Sequence, residues 1–152
     1  MAGSERETSG PAVEESGAGA QTHRMTIPGT AVRAYTDAWL AGDIATVLDL
    51  YADDIVLHYG GANPLTGDHR GKDAAVTVLL AVQEKTLRVP TEVIDVMEGA
   101  TYAAAWVREQ WTVDGDSVEV MRLLTYRVAD GKLAECWLFD PDQALVDRVF
   151  SS

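Results

Sequence analysis

Cysteine occurs once in these 152 residues, at Cys136, so no internal disulfide is available and a reducing, cytoplasmic setting is expected. Positive charge is also scarce. Twelve lysines and arginines stand against 24 acidic side chains, a net charge of -12. Phosphate backbones need a basic face, so nucleic acid is excluded as a partner, and binding to anionic membranes is disfavoured. No apolar run reaches the length of a membrane span, and the first residues lack the core of a signal peptide. His58 and His69 lie eleven residues apart without matching carboxylates, so no metal site is expected. Gly67-Asp68-His69-Arg70-Gly71 lacks a phosphate-loop lysine, and no Ser-His-Asp or Cys-His pattern stands out.

What the chain does contain is one domain's worth of periodic structure. Residues 1–25, rich in Gly, Ala, Ser and Glu, read as a disordered tail, and residues 26–152 as the folded domain. Thr26-Ile27-Pro28 looks like a helix entry, with Thr26 or Thr30 as the cap. Val32, Tyr35 and Trp39 then fall on one stripe. Gly42 ends that helix, and Asp43 caps a second, whose Ile44, Val47, Leu48 and Tyr51 should face inward. Tyr51-Ala52-Asp53-Asp54 reads as a turn, residues 55–59 as a strand, and residues 60–71 as a loop. A third helix over residues 72–86 should bury Val76, Leu79, Leu80 and Gln83. From Thr91 the period becomes that of strands, over residues 92–97, 102–113, 117–128 and 133–139, with a short helix over 143–150. Glu98-Gly99, Asp114-Gly115 and Asp130-Gly131 separate the strands. The expected fold is α+β: a curved antiparallel sheet wrapped by three N-terminal helices, with a pocket between the layers.

Counting outward from a two-residue turn at Asp114-Gly115 pairs Trp111 with Val118, Glu109 with Val120, Val107 with Arg122 and Ala105 with Leu124. One sheet face then carries Val107, Glu109, Trp111, Val118, Val120, Arg122, Leu124 and Tyr126. Trp106 and Trp137 fall on the other face, consistent with a homodimer through the outer side of the sheet. Glu109 and Arg122 are either an ordinary ion pair or a polar anchor in an apolar pocket. Asp140, just before Pro141, is either a turn cap or a pocket carboxylate. Tyr35, His58 and Tyr59 are further groups able to handle protons.

Tyr35, Gly42-Asp43-Ile44 and Tyr51-Ala52-Asp53-Asp54 resemble the first two helices of ketosteroid isomerases, within the nuclear-transport-factor-2-like superfamily. The run from Leu57 to Ala74 resembles more closely the SnoaL-like branch, which includes polyketide cyclases. The resemblance spans residues 28–150 and implies a cone-shaped, cystatin-like α+β roll. It places the isomerase tyrosine on Tyr35. The isomerase base falls on Tyr59 beside His58, and its oxyanion-hole aspartic acid near Leu124, and both carboxyl groups are absent. A steroid-type isomerase is therefore disfavoured. Asp140 resembles the acid/base aspartate of SnoaL-like cyclases, while Glu109, Arg122 and Asp140 form a chemical analogue of the Asp-Arg-Asp set of an epoxide-hydrolase relative.

The expectation is a cofactor-independent acid/base enzyme of cyclase, isomerase or hydrolase type, acting on a small hydrophobic oxygenated molecule. Asp140 would be the base, and His58 or Tyr35 the donor to a developing oxyanion. Tyr59, Glu109, Arg122, Trp111, Trp39 and Leu124 would hold the substrate. The competing expectation is a non-catalytic, dimeric, small-ligand-binding accessory protein, favoured if every polar group of the pocket is locked in an internal pair.

Overall fold

The computed structural model describes residues 27–152; the tail expected over residues 1–25, and the cap offered by Thr26, lie outside them. Helix α1 (Pro28–Leu40) starts on Pro28, whose missing N–H is harmless in a first turn. Ile27, not Thr30, holds the cap position and makes no side-chain bond there. Asp43 caps α2 (Ile44–Leu50), accepting from the Thr46 N–H at 3.2 Å and from its hydroxyl at 2.7 Å. Val47 is buried, but Ile44 points to solvent in the first turn beside that exposed cap.

The segment expected as a turn at Tyr51–Asp54 instead opens strand β1 (Tyr51–Tyr59). Its register slips between Tyr51 and Val56, and this irregularity lets Tyr51 and Ile55 both reach the core while Asp53 and Asp54 stay in water. A short strand, β2 (Gly67–Arg70), pairs with β1 inside the expected loop; its four residues carry no apolar alternation that would mark it. Helix α3 (Lys72–Thr86) has the expected bounds, and Val76 and Leu79 pack partly against the core as expected, but its buried face is rotated from the expected one. It buries Ala75, Val78, Val82 and Thr86, and leaves Leu80 63% exposed and Gln83 outward. Alanine and valine are smaller than leucine and admit a closer approach to the sheet.

Strands β3 (Val89–Glu98), β4 (Tyr102–Val113), β5 (Asp116–Ala129) and β6 (Lys132–Phe139) complete a six-stranded sheet in the order β2-β1-β6-β5-β4-β3. All neighbours are antiparallel except β1 and β6, which run parallel. Asp114 and Gly115 have φ of 51° and 84°, and Asp130 and Gly131 of 52° and 73°, the left-handed pairs that a tight hairpin turn requires. The β4–β5 register is the one counted from Asp114-Gly115, and it buries Val107, Glu109, Trp111, Val120, Arg122, Leu124 and Tyr126 together. Register shifts in β1, β3 and β5 accompany the curvature of this unclosed sheet. Helices α1 and α3 pack against it. A final helix, α4 (Gln143–Ser151), capped by Asp142, buries Leu145, Val146 and Val149, and sets Phe150 edge-on against Tyr59 and Trp111. The architecture is the α+β roll expected, and α4 is the short terminal helix expected over residues 143–150.

Candidate functional site

The inner face of the sheet and helices α1 and α3 enclose a cavity of about 20 Å³, room for one water-sized group. Tyr35 and Trp39 reach it from α1, Leu79 from α3, and Glu109 and Leu124 from the central strands. Strand alternation puts Glu109 and Trp111 side by side, and the indole N–H of Trp111 donates to Oε2 of Glu109 at 2.6 Å. That bond turns the other oxygen, Oε1, away from Trp111. Glu109 is fully buried, and Oε1 accepts no hydrogen bond.

Arg88 faces the same cavity, a residue that sequence reasoning passed over. It follows Leu87, a non-glycine residue held at φ 47° where α3 ends, and this left-handed step brings the arginine inward. Its guanidinium lies over the Trp39 ring at 5.6 Å, with NH1 3.9 Å from Oε1 of Glu109. The only sequence signal was its place as the one cation between the end of α3 and the start of β3. Trp39, Leu79 and Arg88 are half-buried and form the mouth. A ligand of drug size needs a pocket of about 300 Å³ or more, so these three side chains must move to admit one.

At the other side of the cavity, the hydroxyls of Tyr35 and Tyr51 share a 2.7 Å hydrogen bond, and the Tyr126 ring meets Tyr35 edge-on at 5.4 Å. Burial pushes all three phenols above their ordinary pKa, so they remain hydrogen-bond donors through the neutral range. Two hydroxyls sharing one hydrogen bond leave one O–H free to donate elsewhere. Burial likewise pushes the Cys136 thiol up to about 12, which removes it as a nucleophile.

Arg122, Asp140, Tyr59 and Trp111 form a second group, beneath α4. Arg122 donates from Nε to Asp140 Oδ1 at 2.6 Å and from NH2 to Oδ2 at 3.0 Å. NH2 also donates to the Tyr59 hydroxyl at 3.2 Å, and the guanidinium lies 5.7 Å and 5.3 Å from the Tyr59 and Trp111 ring centres. Desolvation would favour a neutral Arg122, but Tyr59, Glu109 and Asp140 outweigh it and hold the arginine above its ordinary pKa. Asp140, 3% exposed, has both oxygens committed to this pair. It does not line the central cavity. Glu109 links the two groups through its bond to Trp111.

His58 joins neither group. Its neighbours Leu57 and Tyr59 face the core, so alternation turns His58 to the outer side of the sheet, where its ring stacks on Trp137 at 4.9 Å. His58 and Asp140 line an open surface pocket with Tyr59 and Gln143, but Tyr35 lines the buried cavity instead, so the three expected groups do not converge. His58 instead donates from Nδ1 to Asp68 and from Nε2 to Glu135, each at 2.6 Å, and Arg127 donates to the other Glu135 oxygen at 3.0 Å. Two carboxylate acceptors require protons on both ring nitrogens, hence an imidazolium. Partial burial works against that charge, but Asp68 and Glu135 prevail and raise the His58 pKa, while both carboxylates are lowered, chiefly by His58. The histidine's contribution to stability is therefore complete below its unfolded pKa of about 6.5 and fades as pH rises through the raised value; the carboxylates lose theirs only as pH falls through their lowered ones. An NMR titration should place His58 above about 6.5. Glu135→Gln should move it downward, and an unchanged midpoint would contradict this account. His69, the other histidine of this region, hydrogen-bonds through Nε2 to the Leu65 carbonyl at 2.7 Å.

Residues 32–136 match the SnoaL-like domain, and the chain belongs to that family. A comparison with curated proteins gives no match. Among solved structures, a cystatin-like-fold protein of unknown function from Xanthomonas campestris is 23% identical, with a TM-score of 0.74 over 81% of this chain and 97% of that one. TerC, co-crystallised with polyporic acid, is 15% identical, with a TM-score of 0.69 over 82% and 99%. A putative polyketide cyclase from Sinorhizobium meliloti is 20% identical, with a TM-score of 0.58 over 72% and 94%. At these identities the likeness concerns the fold. No helix among the described residues is long and apolar enough to cross a membrane.

Proposed function

We propose that the chain is a cofactor-independent acid–base enzyme that moves a proton α to the carbonyl of a small hydrophobic substrate. The observation that carries this reading is Glu109, a fully buried carboxylate that lines an apolar cavity, held by Trp111 through one oxygen while the other accepts no hydrogen bond. Glu109 takes the proton, the electron pair moves onto the carbonyl oxygen, and Arg88 or the free hydroxyl of the Tyr35–Tyr51 pair donates to that oxygen. The base role first assigned to Asp140 passes to Glu109, because Asp140 is spent on Arg122; Asp140 and Arg122 position Trp111 and Tyr59. The likeness to a putative polyketide cyclase is compatible with this chemistry.

Deuterium uptake by 2-tetralone in D2O, followed by NMR, tests the reading. The wild type should accelerate exchange next to the carbonyl, Glu109→Gln should abolish most of the acceleration, and Asp140→Asn should retain more. Equal loss in both variants would remove the distinction between base and positioning residue. A second reading, a non-catalytic binder, is favoured by the closed Arg122–Asp140–Tyr59 set; it expects no exchange with the wild type at all.

The proposal includes a second copy on the outer sheet face. Tyr102 and Phe139 are about half exposed there, next to half-buried Trp106, Met121, Leu123 and Trp137. Light scattering should report a dimer, and Tyr102→Glu should shift it toward monomer; a monomeric wild type would sink this part.

A further inference from the structure

Two residues that line one cavity each hold a buried polar atom with no hydrogen-bond partner among the described residues: Oε1 of Glu109, an acceptor, and Nε of Arg88, a donor. Buried groups of this kind are almost always paired, so both call for a complement. NH1 of Arg88 lies 3.9 Å from Oε1, too far for a hydrogen bond, yet close enough for adjacent oxygens of one small molecule to meet both. The left-handed φ of Leu87, whose own side chain is 61% exposed, is what delivers Arg88 here. The same left-handed step ends α3, with the Leu87 N–H donating to the Gln83 carbonyl at 2.8 Å.

Charge decides what the complement is. Glu109 and Arg88 neutralise each other, and Arg122 is already matched by Asp140. An anionic ligand would set its charge against Oε1, and a cationic one against the guanidinium; either brings an unmatched charge into a buried site. The group that satisfies both atoms is neutral, with an acceptor next to a donor. Around it the walls are apolar: Ile55, Leu57, Leu124 and Leu138, with the Trp39 ring at the mouth.

We infer that the cavity recognises a neutral, largely apolar ring bearing a carbonyl beside a hydroxyl, the carbonyl accepting from Arg88 and the hydroxyl donating to Glu109. This rests on the assignment of the cavity as the ligand site, and it names the substrate class.

Calorimetric titration with three neutral probes tests it: 2-hydroxy-1-tetralone, which has both groups, 1-tetralone, which lacks the hydroxyl, and 2-tetralol, which lacks the carbonyl. The hydroxy ketone should bind about tenfold more tightly than either, the effect of one hydrogen bond to a charged group. Raising NaCl from about 50 to about 500 mM should change its affinity by less than about twofold, because a neutral ligand has no charge to screen. In Arg88→Met the preference over 2-tetralol should vanish while the preference over 1-tetralone persists. Should that variant fail to fold, the wild-type ranking alone decides. Equal affinities for the three probes, no binding of any, or tighter binding of 1-naphthoate would overturn the inference. Equal affinities together with intact 2-tetralone exchange would overturn it and leave the acid–base reading standing. The expected ranking without exchange would keep the ligand class and remove the catalytic role.

Discussion

Arg122→Met is expected to destabilise the fold by about 3–5 kcal/mol, because it leaves the Asp140 carboxylate buried without its counter-charge. For a domain of this size that lowers the melting temperature by roughly 10 °C or more. Methionine has a comparable length, so the loss reflects charge and hydrogen bonding more than a cavity. Three donor contacts disappear together, two to Asp140 and one to the Tyr59 hydroxyl. The companion variant separates the worth of the pair from the penalty of breaking it. Arg122→Met with Asp140→Leu removes both charges, and should recover most of the stability, short of about 1 kcal/mol for the unpartnered Tyr59 hydroxyl. Urea unfolding of the three proteins measures this. A single variant within about 1 kcal/mol of wild type would show that solvent reaches Asp140 after all.

Glu109→Gln carries the largest expected effect on activity, a fall of about 10²- to 10⁴-fold in exchange rate, equivalent to about 3–5 kcal/mol of barrier. Glutamine has nearly the same shape, and its carbonyl oxygen can still accept from the Trp111 indole. Geometry is kept and only the proton acceptor is lost. Stability should fall modestly, since the Arg88 guanidinium 3.9 Å away loses its counter-charge but is not fully buried. Loss of activity accompanied by unfolding would assign Glu109 a structural role instead. The change to watch is in kcat: a rise in KM alone would mean that Glu109 only binds.

Much of the site's scaffold was legible because turn chemistry and strand period are strict. Asp114-Gly115 sets one register for β4 and β5, and that register puts Glu109, Trp111, Arg122 and Leu124 on one face. Helical spacing likewise aims Tyr35 and Trp39 together. His58 illustrates a reading that strand geometry alone corrects: adjacent residues of a strand face opposite sides, so the His58 ring turns away from the buried cavity that Tyr35 lines. Asp140 lies just beyond the last strand, where alternation no longer predicts direction, and its two-point pairing with Arg122 is a tertiary fact. Arg88 was hidden for a different reason. Its direction depends on a left-handed leucine, and nothing in leucine's usual preferences announces that conformation. On α3, hydrophobicity points Leu80 inward, whereas close packing favours the smaller Ala75 and Val78 and leaves Leu80 in water.

The parallel seam between β1 and β6 has a consequence for how the chain folds. β1 ends at Tyr59 and β6 begins at Lys132, so the strand that completes the middle of the sheet is made long after the one it joins. Until it arrives, the four-residue β2 is the one strand paired with β1, and α3 covers Ile55 and Leu57 from the helix layer. Joining such distant segments requires a large loop to close before any contact rewards it, which makes folding slow. The half-made protein must then survive with an open strand edge, the condition in which chains most readily pair with the wrong neighbour.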